Sequence, residues 1–235
     1  MSFLETKYLY WILLLFCIAY PLAQSFERRL RFYKKWKYLL PGVGLVLVIF
    51  IPWDIWFEHS KVWWFNDSYI SGFRLFGLPV EEWCFFIAVP FACMFIYEAL
   101  NYYVKRPVFN SSAKFIFGGI SLLLLVLAVI YWDHLYTFLS CGLASLISLF
   151  LAFKNPKWLG RFLLMYMVSW IPFVLVNGAL TGLFTKEALV NYSESQIIGL
   201  RVFTIPIEDS IYNLLMLAIV VVLYEFMMGR AKAKS

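Results

Sequence analysis

Seven long apolar segments constrain the fold of this chain more than any other feature of its sequence. They lie at about residues 8–25, 38–55, 81–104, 114–132, 135–153, 159–180 and 206–228. A helix that crosses a bilayer needs about 20 apolar residues, and each segment is close to that length. Only 14% of the residues are charged, against roughly 25% in soluble domains. The sequence therefore predicts an all-α, polytopic membrane protein with seven transmembrane helices.

The positions of the basic residues predict how these helices are oriented. Of 20 Lys and Arg, 15 lie within residues 26–37, 105–114, 154–161 and 229–235. All four stretches fall on one side of the membrane if the N-terminus is outside and the C-terminus is cytoplasmic, as the positive-inside rule requires. We therefore expect a multi-pass protein of the cell membrane with this topology. The lipid bilayer, and not nucleic acid, is then the partner that explains the net charge of +6.

One motif occurs twice and relates the two halves of the chain. Residues 72–82 read GFRLFGLPVEE, and residues 199–209 read GLRVFTIPIED. The offset between the copies is 127 positions (199 − 72 = 127), and the same offset relates the Tyr-Glu pairs at 97–98 and 224–225. Each copy precedes an apolar segment of spanning length. The second half is therefore a repeat of the first.

The repeat predicts how the seven helices are arranged. One three-helix repeat covers about residues 1–107, a connecting helix covers about 114–132, and the second repeat covers about 135–229. Three helices are an odd number, so two repeats joined directly would be inverted, and the connecting helix restores the orientation. We therefore expect two parallel repeats related by a pseudo-two-fold axis along the membrane normal.

Each motif ends in two adjacent acids at the start of a helix. A proline two positions earlier and acids in the first turn are favourable for any helix start, which is a purely structural interpretation. Acids within a membrane are also candidates for function. Neighbouring side chains on a helix point about 100° apart, so only one acid of each pair can face a common site. The candidate catalytic residues are Glu81, Glu82, Glu208 and Asp209.

Other polar residues lie near the acid motifs. Arg74 and Arg201 each precede the first Glu of their motif by seven positions, and pairing with an acid would give them a structural role. Asp54 and Asn177 lie at the matching ends of the second and sixth helices, at the level of the motifs, and are further site candidates. The Tyr-Glu pairs at the far helix ends are expected to link helices by polar contacts.

Several cofactor-dependent classes are excluded by what the sequence lacks. There are only two His, so histidine-rich di-iron sites are excluded, and the last helix has no Lys for a retinal Schiff base. No glycine-rich dinucleotide fingerprint and no Asp-rich diphosphate motif is present. We therefore expect no cofactor and no metal. Acids, aromatic rings and a dry interior suit protonation of an alkene, followed by guidance of a carbocation.

The motifs resemble those of the membrane-embedded carotenoid cyclases. The resemblance rests on Leu78 to Glu82 followed by Phe85 and Phe86, and on residues 201–209 followed by Tyr212. In that family two small subunits, or their fused equivalents in bacteria, archaea and fungi, cyclise the ends of lycopene. The resemblance covers nearly the whole chain, which is similar to the fused form.

The resemblance implies an intramolecular lyase of the isomerase class that needs no cofactor. It implies that lycopene is cyclised to γ-carotene or β-carotene, with Glu208 or Glu81 as the proton donor and the neighbouring acid in support. Other enzymes of the carotenoid pathway are candidate partners. The residues implied to shape the substrate site, many of which are equally typical of a helix core, are Pro79, Pro206, Phe85, Phe86, Tyr212, Trp64 and Phe203.

Alternatives remain open at this stage. Differences between the motifs, such as Glu82 against Asp209 and Phe86 against Asn213, favour one shared, asymmetric site over two independent sites. The substrate can also be a longer carotenoid, and the ring isomer is not determined. A non-enzymatic seven-helix carrier of a hydrophobic ligand would share the repeat, the apolar interior and the acids.

Overall fold

The computed structural model describes residues 5–233. The described residues form seven α-helices, and the sixth begins and ends where the sequence predicts. The helices are α1 (Leu9–Gln24), α2 (Trp36–His59), α3 (Val80–Tyr103), α4 (Ala113–Ile130), α5 (Leu135–Lys154), α6 (Leu159–Leu180) and α7 (Ile207–Lys232). Six of them, α2 to α7, are long and apolar enough to cross a membrane. The predicted helical, multi-pass membrane architecture is confirmed, whereas α1, with 16 residues, is shorter than a typical span.

The two long loops also contain six short strands in three antiparallel pairs, which the sequence did not predict. The cause is local, because aromatic and β-branched residues in these loops favour extended backbone. The pairs are β1 (Trp63–Phe65) with β4 (Val190–Tyr192), β2 (Arg74–Leu75) with β3 (Leu78–Pro79), and β5 (Arg201–Val202) with β6 (Ile205–Pro206).

The β1–β4 ribbon joins the two halves of the chain about a local two-fold axis. Its central pair is Trp64 with Asn191, and Asn191 follows Trp64 by the repeat offset (191 − 64 = 127). A segment that pairs antiparallel with its own counterpart is related to it by a rotation of half a turn about an axis perpendicular to the strands. The two loops therefore meet symmetrically above the helices.

Equivalent side chains of the two halves also contact each other reciprocally at the opposite ends of α3 and α7. The Tyr97 hydroxyl donates to Glu225 Oε1 at 2.6 Å, and the Tyr224 hydroxyl donates to Glu98 Oε1 at 2.5 Å. Lys35 forms an ion pair with the other oxygen of Glu98. These hydrogen bonds link the helices as the sequence predicts.

The helix contacts also occur in matching pairs. α1 packs on α3 and α5 packs on α7, while α2 contacts α7 and α6 contacts α3. α4 lies along α5, and Ser121 and Ser145 each donate a hydroxyl hydrogen to the other's carbonyl oxygen. The turn between α4 and α5 covers residues 131–134, whereas the predicted segments 114–132 and 135–153 left only residues 133–134 between them.

Candidate active site

Both acid motifs fold into a hairpin followed at once by a helix. The β2–β3 hairpin pairs Arg74 with Pro79, and the β5–β6 hairpin pairs Arg201 with Pro206. Each proline immediately precedes its helix, α3 or α7, and carries no N–H that the first turn would leave unpaired. The two motifs therefore present their acids at equivalent positions.

The two arginines stabilise the loops and lie outside the site. Arg74 donates to Glu58 Oε1 at 2.5 Å and to Asp67 Oδ1 at 2.9 Å. Arg201 donates to Glu194 Oε1 at 2.7 Å. Each arginine pairs with acids as the structural interpretation predicted, but these acids belong to the loops and the end of α2.

The first acid of each pair fastens its hairpin loop to its helix. Glu81 is buried and its Oε1 accepts the backbone N–H of Ser71 at 2.8 Å. Glu208 is equally buried, and its Oε1 accepts the backbone N–H of Ile198 at 2.7 Å and the hydroxyl hydrogen of Thr137 at 2.7 Å. Neither of these two glutamates lines the cavity that the second acids face.

The second acid of each pair faces a cavity of about 340 Å³. This volume is within the range of small-molecule sites, roughly 300–1,000 Å³. The cavity lies between α1, α3 and α6, with its polar end near the loops. Six of the residues proposed from sequence line it, namely Glu82, Asp209, Asp54, Asn177, Phe85 and Tyr212.

Glu82 has few hydrogen-bond donors and an acidic neighbour. The Tyr10 hydroxyl donates to Glu82 Oε2. Asp54, from α2, lines the same cavity, and its Oδ1 accepts the Tyr212 hydroxyl hydrogen at 2.6 Å. Glu82 and Asp54 are both buried, so the cavity holds two carboxyl groups that are shielded from water.

Asp209 is held differently, by three neutral donors. The Tyr136 hydroxyl donates to Oδ1 at 2.8 Å, and the Tyr192 hydroxyl and Asn177 Nδ2 donate to Oδ2 at 2.8 Å and 2.7 Å. Burial raises the pKa of Tyr192 well above its ordinary value, and the charge of Asp209 raises it further. Tyr192 therefore stays a neutral donor. Three donors satisfy an ionised carboxylate far better than a protonated one.

Aromatic rings surround these acids. Trp63 packs edge-to-face on Tyr136, with ring centroids 4.9 Å apart, and on Tyr212 at 6.0 Å. Ring faces stabilise cations within about 6 Å of their centroid. Among the described residues, no three His, Cys, Asp or Glu side chains are grouped as metal ligands. The cavity can therefore hold an apolar ligand, transfer protons and stabilise positive charge.

Several residues proposed from sequence lie elsewhere. Trp64 alternates outward between Trp63 and Phe65 on β1 and is 37% exposed, so its neighbour Trp63 takes the cavity position. Phe203 is at a hairpin tip and is 71% exposed. Phe86 is buried beside Phe85 but does not reach the cavity. The other proposed residues outside the cavity are Pro79, Pro206, Arg74 and Arg201.

Among the residues that line the cavity but were not proposed from sequence, four lie close to the acids. They are Tyr10, Trp63, Tyr136 and Tyr192. Tyr10 and Tyr136 lie near the starts of α1 and α5 and contact the second acids of the two motifs. They do not correspond under the repeat offset, since 136 − 10 = 126, and α1 and α5 carry no motif that draws attention to them.

Comparison with known proteins gives consistent matches. A family model described as lycopene cyclase matches residues 7–100 and 133–227, two segments of similar length that leave out α4. Three fungal relatives are each named bifunctional lycopene cyclase/phytoene synthase. The protein of Aspergillus oryzae is 25% identical over 76% of this chain, that of Neurospora crassa 32% over 42%, and that of Podospora anserina 30% over 30%.

The match is confined to a part of each fungal relative. The chain covers 28% of the Aspergillus oryzae protein, 14% of the Neurospora crassa protein and 12% of the Podospora anserina protein. No solved structure matches the chain.

Proposed function

Because the chain belongs to the lycopene cyclase family, we propose that it is an intramolecular lyase of the isomerase class acting on lycopene. It closes an end of the linear carotenoid to a β-ionone ring, without net redox change and without a cofactor. The observation that carries this proposal is the cavity that both Glu82 and Asp209 line, between aromatic rings and an otherwise apolar wall.

Glu82 is the proton donor in this mechanism, in place of the Glu81 or Glu208 expected from sequence. Two adjacent carboxyl groups in an apolar site do not both ionise readily, so Glu82 and Asp54 together retain a proton. Glu82 transfers that proton to a carbon of the terminal double bond, and a tertiary carbocation forms on the other carbon. Glu81 and Glu208 support the site by fixing the loops.

Ring closure follows without further help from an acid. The electron pair of the next suitably placed double bond attacks the cation, and a carbon–carbon bond closes the six-membered ring. The rings of Trp63, Tyr136 and Tyr212 stabilise the positive charge at this stage. Ring closure leaves the positive charge on a ring carbon. Asp209, whose carboxylate form is stabilised by its three donors, removes a proton from the carbon next to it, and the electrons of that C–H bond form the new double bond. The product is an isomer of the substrate, and the proton returns from Asp209 to the Glu82–Asp54 pair.

The proposal includes the membrane architecture expected from sequence. Two parallel three-helix repeats, joined by α4, cross the membrane with the N-terminus outside and the C-terminus in the cytoplasm, and α1 is the seventh span. The symmetric β1–β4 pairing and the exchanged Tyr-Glu pairs support this arrangement. Other enzymes of the carotenoid pathway are its proposed partners.

Co-expression in a bacterium that accumulates lycopene tests the activity. We expect lycopene to be replaced by monocyclic or bicyclic products of equal mass, separated by chromatography and identified by mass spectrometry. Unchanged lycopene in cells that contain the membrane-inserted protein would refute the activity on lycopene. Longer linear carotenoids would then be supplied in the same way, and binding without conversion would indicate a carrier.

A further inference from the structure

The cavity continues from the acids as a long groove. Along α3 its wall includes Glu82, Val89, Ala92, Cys93 and Ile96. At a rise of 1.5 Å per residue, this wall is about 21 Å long. Below the acids the wall is almost entirely apolar. The groove therefore has the length and chemistry to hold an extended polyene behind the end that reacts.

The groove reaches the outer surface of the helices on one side. Phe16 and Tyr20 of α1 line it and are also 62% and 67% exposed. Opposite them, Pro172 and Phe173 of α6 line the other wall. This surface lies in the middle of apolar helices, where the surrounding medium is lipid. The remainder of a long carotenoid can therefore extend between α1 and α6 into the bilayer.

The corresponding space in the other repeat is closed. Ala92 and Cys93 of the groove correspond, 127 positions later, to the larger Ile219 and Val220, which line no part of the cavity. Ser169 of the groove corresponds to Gly42 in the same way (169 − 42 = 127).

Gly42 brings the backbones of α2 and α7 into contact. A Cβ atom added to Gly42 would lie 3.2 Å from the carbonyl oxygen and 3.3 Å from the Cα atom of Val220. These are tighter than ordinary van der Waals contacts, so no chain can pass between α2 and α7 at this level. In the part of the chain that the structure describes, the groove is therefore asymmetric: it opens between α1 and α6, whereas the matching space beside α7 is filled.

We propose that this single groove makes the enzyme close one ring per binding event. The polyene lies in the groove, one end reaches Glu82 and Asp209, and the other end extends into the lipid. The second end can react only after the monocyclic product leaves and binds again in the reverse direction. This inference rests on the proposed lycopene cyclase activity.

An isotope-dilution experiment with the wild-type protein tests the inference. The protein is reconstituted in liposomes with ¹³C-labelled lycopene and a roughly tenfold excess of unlabelled monocyclic γ-carotene. We expect the label to collect in the monocyclic pool and labelled bicyclic product to fall about tenfold, because released intermediate is diluted. Labelled bicyclic product at an undiminished rate would overturn the inference. A monocyclic product that is never converted further also supports one ring per binding event. No ring closure at all would instead refute the proposed function.

A matched pair of substitutions tests the groove itself. Ala92→Ile gives the open side the residue of the closed side, and we expect ring formation per inserted protein to fall at least about tenfold. Ile219→Ala is the control at the corresponding position of α7, and it should retain at least about half of the wild-type rate. Equal effects of both substitutions, or none from Ala92→Ile, would contradict the placement of the polyene in this groove.

Discussion

Glu82 and Asp209 occupy matching positions in the two acid motifs but have different surroundings. Each is the second acid of its pair, and each faces the cavity from the first turn of its helix. The Tyr10 hydroxyl donates to Glu82, and Asp54 lines the same cavity. Asp209 accepts three hydrogen bonds from neutral groups. The motif alone therefore does not determine what each acid does.

The difference originates in residues outside the motifs. Tyr192 and Asn177, which donate to Asp209, correspond to Phe65 and Phe50 in the first repeat (192 − 127 = 65 and 177 − 127 = 50). Phenylalanine offers no donor, so the carboxylate form of Glu82 lacks the support that Asp209 has. In the proposed mechanism, an acid and a base have arisen from equivalent positions through substitutions in the surrounding wall.

The largest effect is expected for Glu82→Gln. Glutamine keeps the shape of the side chain but has no proton to give, so ring formation should fall by roughly 10²–10⁴-fold, the usual contribution of general acid catalysis. Ring formation per inserted protein is measured in membranes that contain lycopene. Glu81→Gln is the matched control and should cost less, because Glu81 binds a backbone N–H outside the cavity. A larger loss in Glu81→Gln would reverse the assignment.

Asp209→Asn is expected to have the next largest effect. The substitution removes the base and the negative charge that faces the cation, and its amide nitrogen replaces an oxygen that accepts a hydrogen bond. We expect a loss of about 10²-fold in ring formation. Glu208→Gln serves as the comparison, since Glu208 contacts Ile198 and Thr137 and not the cavity. Full activity of Asp209→Asn would show that another group takes the proton.

The helices could be predicted because the length and position of each apolar segment can be read directly from the sequence. The predicted sixth helix, 159–180, coincides with the observed Leu159–Leu180. The β1–β4 ribbon could not be predicted, since its strands have three residues each and pair across the repeat offset. The inward position of Trp63 and the exposure of Trp64 depend on that unpredicted strand.

The acid pairs also have one feature that the sequence predicts and one that it does not. Helical geometry requires that adjacent acids point about 100° apart, which the sequence reveals. Which acid of each pair faces the cavity depends on the neighbouring helices and loops, and no local pattern records this. The backbone amides of Ser71 and Ile198 donate to the first acid of each pair. The second acids, Glu82 and Asp209, therefore face the cavity.

A smaller effect is expected for Tyr192→Phe. This substitution gives Asp209 the phenylalanine that Glu82 has at the corresponding position, Phe65. Loss of one hydrogen bond to a charged group costs about 1.5–3 kcal/mol, so a smaller fraction of Asp209 is ionised and able to accept a proton, and we expect roughly a tenfold loss in ring formation. Ring formation by the variant is compared with that of Phe65→Tyr at the corresponding position. If Tyr192→Phe retained the wild-type rate, the number of donors would not explain the difference between Glu82 and Asp209.

The smallest effect on chemistry is expected at the other ends of α3 and α7, where Tyr224→Phe removes a hydrogen bond to the buried Glu98. Because a hydrogen bond to a charged group is lost, we expect the free energy of unfolding to fall by about 1.5–3 kcal/mol. The ion pair of Glu98 with Lys35 is retained. Ring formation at low temperature should stay within about twofold of wild type, because these groups lie far from the cavity acids. Tyr103→Phe, at an exposed tyrosine of α3, is the control. A strong loss of ring formation in the folded Tyr224→Phe variant would mean that the exchanged Tyr-Glu pairs act on the site, and that the two ends of the helix pair are not independent.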